Sequence, residues 1–121
     1  MTNEQIRAWY QQEVSKIARF DLEWIEQGHV LGERARRVWQ IRHEARLQAR
    51  SMMENPAEVE QLRARDLLLY GNSDGPTFDQ LVETHQQSGY DEDEAYERII
   101  KGARTTNKDV DERLRPNDRN P

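Results

Sequence analysis

Between Gly71 and Glu94 the chain starts a helix twice and stops one twice, and that punctuation constrains the fold more than any other feature. Thr77 with Gln80, and Asp91 with Glu94, have the spacing of a capping box. In that motif the cap side chain and the third helical residue satisfy each other's backbone N–H groups. Gly71 and Gly89 stand where the preceding helices should end, because glycine enters the left-handed region at little steric cost. The same signals recur upstream. Thr2 with Gln5 reads as a capping box, and Asn55-Pro56-Ala57-Glu58 supplies a cap, a proline at the first helical position and an acid at the third. No segment alternates apolar and polar residues between hairpin turns. The expected fold class is all-α.

Apolar spacing fills in the helices. Ile6, Trp9, Tyr10, Val14, Ile17, Phe20, Trp24 and Ile25 recur at intervals of three and four, predicting one long helix over 3–27. Gly28 is its expected stop. Leu31, Ala35, Val38, Trp39, Ala45, Ala49, Met52 and Met53 form the stripe of a second helix, from about 31 to 54. The short connection between Gly28 and Gly32 favours an antiparallel hairpin, with a single helix bent through Gly28 as the alternative. Three shorter helices follow: 56–70 with Val59, Leu62 and Leu67 to Leu69 apolar; one from Thr77 to about Ser88 with Phe78, Leu81 and Val82 inward; and one opened by Asp91 with Ala95, Tyr96, Ile99, Ile100 and Ala103 inward. The architecture expected is a long antiparallel helical hairpin packed with about three shorter helices. It forms one domain over 1–114, with Val110 and Leu114 anchoring a last turn and 115–121 a frayed polar tail.

Hydrophobic residues make up 35 % of the 121 and charged residues 34 %. Each helix must therefore spend its apolar residues on one narrow face, and a homodimer would ease the shortage of buried area. The chain has no cysteine, so disulfides and Cys-based zinc sites are excluded. The N-terminus Met-Thr-Asn-Glu-Gln lacks a basic and then apolar leader, and the longest apolar run, Leu67 to Tyr70, is far short of a membrane span. A cytoplasmic, membrane-free protein is expected.

The net charge of -5 argues against broad nucleic-acid affinity, yet the charge is uneven. Residues 31–50 hold Arg34, Arg36, Arg37, Arg42, Arg46 and Arg50 against Glu33 and Glu44. Residues 71–97 hold Asp74, Asp79, Glu83, Asp91, Glu92, Asp93, Glu94 and Glu97 and no Lys or Arg. Within the helical stripes, Arg42 and Arg46 interrupt the second and Glu13 and Asp21 the first. If facing residues of the hairpin sum to roughly 58, Arg46 falls near Glu13, and Arg42 within about a turn of Asp21. Internal ion pairs are the expectation, since an unpaired buried charge is costly. The arginine run lacks an aromatic stacking platform, so nucleic acid is not the expected partner.

Catalytic and metal readings find little footing. His29, His43 and His85 form no metal-ligand spacing. Asn72-Ser73-Asp74-Gly75 invites a calcium loop, but aligning its glycine puts Tyr70 and Leu81 where oxygen donors are needed, so a turn is expected. The two helices around Gly89 have a helix-turn-helix outline, but the second opens Asp-Glu-Asp-Glu and would repel phosphate. Nucleophile elbows and phosphate-cradling glycine loops are absent. No catalytic residue, cofactor or metal is expected. The expected contact surface is acidic: Asp74, Asp79, Glu83, Asp91, Glu92, Asp93 and Glu94, with Tyr90 as aromatic anchor. Among the acids, Asp91 and Glu94 also cap a helix, so Glu92 and Asp93 are the freer candidates.

Tyr70-Gly-Asn-Ser-Asp-Gly-Pro-Thr-Phe, followed by Glu-Ala-Tyr-Glu-Arg-Ile-Ile and Thr-Thr-Asn, resembles small helical immunity proteins encoded beside bacterial polymorphic or contact-delivered toxins. The likeness spans about residues 68–114. It implies a cytoplasmic antitoxin that binds a cognate toxin domain and occludes its active site, and it carries over no functional residues. A self-associating adaptor and a phage or plasmid nucleic-acid regulator are the alternatives in other classes.

Overall fold

Every cap read from the sequence forms, and with them the helices. The computed structural model describes residues 1–104, which fold into six helices with no strand among them: α1 (Asn3–Ser15), α2 (Ile17–Glu26), α3 (Leu31–Met52), α4 (Pro56–Tyr70), α5 (Phe78–Gln87) and α6 (Glu92–Ala103). The capping boxes of Thr2–Gln5, Thr77–Gln80 and Asp91–Glu94 all close in both directions. Asn55 accepts from the Ala57 N–H at 3.0 Å, with Pro56 at the first helical position. The expectations for Val110, Leu114 and the 115–121 tail lie outside the described residues.

The long first helix is expected without interruption; it is bent. α1 and α2 continue one another through Lys16, which stays helical in backbone angles (φ -75°, ψ -17°). The chain then reverses at Gly28, whose φ of 82° is the left-handed stop. The hairpin, not the helix bent through Gly28, is the outcome: α1 and α2 both pack against α3. α3 is the axis of the molecule, since α6 and, more lightly, α5 pack against it as well, and α5 and α6 pair with each other.

The core runs along α3. Ile6, Tyr10, Val14 and Ile17 from the first arm meet Ala35, Val38, Ala45 and Ala49 from the second, and Phe78, Ile99, Ile100 and Ala103 close the far side. The small alanines on α3 let neighbouring helices approach closely. Two stripe positions depart from expectation: Phe20 is 37 % and Ile25 46 % exposed. Beyond the bend, α2 turns Ile17 and Asp21 inward, so its buried face centres on a carboxylate.

α4 is the sparsest packer. Leu62 is buried and Val59 lies against the core, but Leu67, Leu68 and Leu69 are 56, 85 and 56 % exposed. Its C-terminal half is held by charge: the only other buried residue of α4 is Asp66.

Candidate functional site

Two charged regions stand out, one an exposed acidic surface and one a buried arginine cluster. The acidic surface is built where α5 and α6 meet the N-terminal half of α3. Phe78 is buried at the start of α5 and stacks parallel to Tyr96 of α6, with ring centroids 6.1 Å apart. The Arg36 guanidinium lies 4.5 Å over the Phe78 ring and reaches Asp79 at 3.4 Å. Tyr96 donates from its hydroxyl to Glu92 at 2.6 Å; that bond, with burial and the nearby Asp93, holds the phenol above its ordinary range. The Tyr96 ring lies against Gly32 of α3, where a Cβ would stand 3.2 Å from it. Glu92 and Asp93 thus stand beside Tyr96, and Asp79 pairs with the Arg36 that covers the Phe78 ring stacked on it.

The remaining expected contact residues divide. Asp91 and Glu94 are engaged with each other's backbone N–H groups in the capping box, as the helix N-terminus requires. Glu83 accepts from Gln87 one turn on, at 3.3 Å. Tyr90 is half-buried: Arg98 lies 4.2 Å from its ring and His85 meets it edge-on at 6.2 Å. Asp74 does not join this surface. It sits in the loop between α4 and α5, close enough to His43 for its carboxylate to favour the charged imidazole, and it belongs to the second region.

That region is the C-terminal half of α3. Arg46 and Arg50 are buried, with side chains 8 and 4 % exposed. Both donate to Asp66 of α4: Arg46 through Nη1 at 3.3 Å and Nη2 at 3.2 Å, and Arg50 through Nη2, all to Oδ2. Each also donates to a backbone carbonyl of the 72–75 loop, while the buried Arg50 Nε finds no acceptor among the described residues. Arg46 Nη2 donates to Asp74 O, and Arg50 Nη1 to Ser73 O at 3.0 Å. The loop is shaped for this. Asn72 Oδ1 accepts from the Asp74 N–H at 3.0 Å, and Gly75 adopts φ 99° where any Cβ would collide with the Arg46 guanidinium. The turn that resembles a calcium loop in sequence is therefore an acceptor for two arginines. Among the described residues no group of three or more His, Cys, Asp or Glu is placed to hold a metal.

The expected ion pairs involve different partners. Glu13 pairs with Lys16 at 2.9 Å on the surface, not with Arg46. Asp21 pairs not with Arg42 but with Arg34, in a two-pronged contact of 2.9 and 2.8 Å, and with Arg104 at 3.2 Å. Its carboxyl is held below its ordinary range chiefly by the Arg34 hydrogen bond, which outweighs its burial. Arg42 is pushed down by burial, with the Tyr10 phenol acting in the opposite sense. The facing-residue sum sets Asp21 opposite Arg37, one turn from the Arg34 it meets, and it leaves out α4, the 72–75 loop and Arg104, which supply the other partners. Asp66 escaped notice, although Val59, Leu62 and Asp66 lie on one face of α4 and that spacing could have revealed it.

Comparison with protein-family models, with curated proteins and with solved structures finds no match. No helix among the described residues is long and apolar enough to cross a membrane.

Proposed function

We propose that this chain is a non-catalytic binding protein of the immunity type, an antitoxin that seats on a cognate toxin domain and covers its active site. The observation that carries the reading is the placing of Glu92 and Asp93 of α6 beside Tyr96, with Asp79 of α5 paired to the Arg36 that lies over the stacked Phe78, on a helix pair whose two N-termini are fixed by closed capping boxes. A rigid acidic surface suits a basic cleft, such as those of domains that bind nucleotides or nucleic acid. Complementary charge speeds capture and selects the partner. The resemblance of residues 68–114 to immunity proteins points the same way and covers both helices.

The test is binding to the product of the neighbouring toxin-like gene, measured by calorimetry at two salt concentrations. Binding should weaken with salt, and Asp93→Lys should weaken it about tenfold without changing the helical signal. Asp93 is the better probe, because reversing Glu92 also removes the acceptor of the Tyr96 hydroxyl. Unchanged affinity would take this surface out of the interface. Absence of any toxin-like neighbour would remove most of the support for the antitoxin reading.

A second reading, self-association, is favoured by one observation: Leu67, Leu68 and Leu69 are more than half exposed at the end of α4, and Leu22 and Val30 are similarly bare at the hairpin turn. Light scattering separates the two, since a strict monomer at high concentration discards it.

A further inference from the structure

The apolar residues left bare on α2 form a stripe. Ala18, Leu22 and Ile25 recur at spacings of four and three, and all are exposed, Leu22 by 55 % and Ile25 by 46 %. Their shared face lies beside the one that Ile17 and Asp21 turn into the core. Phe20 is on the other flank, in a cleft with Trp24, Arg34, Arg37 and Val38. The bare leucines of α4 are arranged differently. Leu67, Leu68 and Leu69 are consecutive, stand about 100° apart around the helix and present no common face.

The charges of α2 run against its own dipole. Lys16 precedes the helix and Arg19 lies in its first turn, whereas Glu23 and Glu26 lie in its last. A helix favours the reverse order, acids first and bases last. The chain reverses at Gly28, so the two acids stand at a true C-terminal end. Part of the charge is matched within the chain. Lys16 pairs with Glu13 at 2.9 Å, and Asp21 is held by Arg34 and Arg104. Arg19, its side chain 82 % exposed, reaches Glu23 at 3.6 Å. That pair has the base N-terminal to the acid, the weaker orientation at this spacing. Glu26, the last residue of the helix, has no ion pair among the described residues.

A second copy laid antiparallel on the stripe supplies what is missing. With Leu22 against the partner's Leu22, Arg19 comes to the partner's Glu26, because both stand on the same edge of the stripe. An isologous contact occurs twice, so Glu26 comes equally to the partner's Arg19. Each acidic C-terminal turn then meets a basic N-terminal one, and the small Ala18 lets the helices approach. A parallel pairing would set like charges side by side.

We infer that α2 is a homodimer interface, antiparallel about a twofold axis at Leu22, made by the stripe of Ala18, Leu22 and Ile25 and by two Arg19–Glu26 pairs. The interface is small, so the dimer is a weak one. It gives the self-association reading one specific seat, and it shares no residue with the acidic surface of the antitoxin reading.

Sedimentation equilibrium of the full chain, from micromolar to millimolar concentration, reports the dimer. Leu22→Lys, at a half-exposed position, should keep the helical signal and weaken association about tenfold or more. Arg19→Glu and Glu26→Arg should each weaken it roughly tenfold, since each sets like charges together twice. One variant carries only acids at the two positions and the other only arginines. Mixed in equal amounts, they should associate about as well as the wild type. A wild type that stays monomeric throughout the range overturns the inference and the self-association reading together. A dimer undiminished by Leu22→Lys overturns the inference alone, as does a mixture of the charge variants that associates no better than either by itself.

Discussion

Two carboxylates in this molecule each hold two arginines, at opposite ends of α3, and they do it differently. Asp21 on α2 is gripped squarely by Arg34, one nitrogen to each oxygen, while Arg104 approaches from the end of α6 with a side chain 49 % exposed. Asp66 on α4 receives Arg46 and Arg50 on a single oxygen, both arginines being almost wholly buried, and a loop bends back to give each one a further acceptor. The first junction pins elements that already share an apolar interface. The second substitutes for such an interface, because the C-terminal half of α4 turns its leucines to solvent. The same pair of residue types therefore reinforces packing at one end and replaces it at the other.

Removing the carboxylates should separate the two roles most strongly. Asp66→Asn leaves two buried guanidiniums without an anion and should cost about 3–5 kcal/mol. Asp21→Asn should cost roughly 2 kcal/mol, because water reaches Arg104 and in part Arg34. Urea unfolding of both variants checks the order, and equal losses would break the comparison.

Glycines sharpen it at the next level. Gly75 and Gly28 both take positive φ, of 99° and 82°, so alanine is strained at either. Only at Gly75 would the added methyl group also meet the Arg46 guanidinium, whereas nothing lies within 4 Å of Gly28. Gly28→Ala should cost ~1 kcal/mol and Gly75→Ala ~2–3 kcal/mol. In a background carrying Arg46→Met, the two should cost about the same.

The smallest effect concerns pH. His43, beside the second junction, is held below its ordinary value near 6.5, first by burial and then by Arg46; His85 is lowered by burial and Arg98. The unfolded chain then binds more protons than the native one as pH falls below about 6.5, so stability should decline there. Asp21 acts lower. Its native value lies below the ordinary 3.8, so its contribution is complete above that and is lost as pH falls toward the native value. Stability measured from pH 7 to pH 3 should fall in two stages. His43→Gln should flatten the first in part, and His43→Gln with His85→Gln should flatten it fully, leaving the second.

What could be read from the sequence follows the same division. Caps, stops and the two-armed hairpin are local, written within four residues of where they act, and Thr2, Asn55, Thr77, Asp91 and Gly28 perform as expected. Helical spacing also places most of the core. It misplaces Phe20 and Ile25, because the bend at Lys16 redirects the stripe and Asp21 takes the inward position. Ion pairing is long-range. Arg46 finds Asp66 twenty residues away and Asp21 finds Arg104 eighty-three away, and neither separation is contained in any helical wheel. The acidic surface is half legible: the charges are plain in the sequence, but the seat of Glu92 and Asp93 beside Tyr96, the pairing of Asp79 with Arg36, and the departure of Asp74 to the other end, require the packing of α5 and α6 on α3.

The tether of α4 has a consequence for how the chain opens. Asp66, Arg46, Arg50 and the carbonyls of Ser73 and Asp74 form a closed circuit through the end of one helix and the loop after it. With Leu67 to Leu69 outside the core, little else resists once that circuit is broken. Residues 63–75 should then come away together while α1, α2, α3 and α6 keep their amides protected, a subglobal unit whose exchange with deuterium is governed by one cluster of charges.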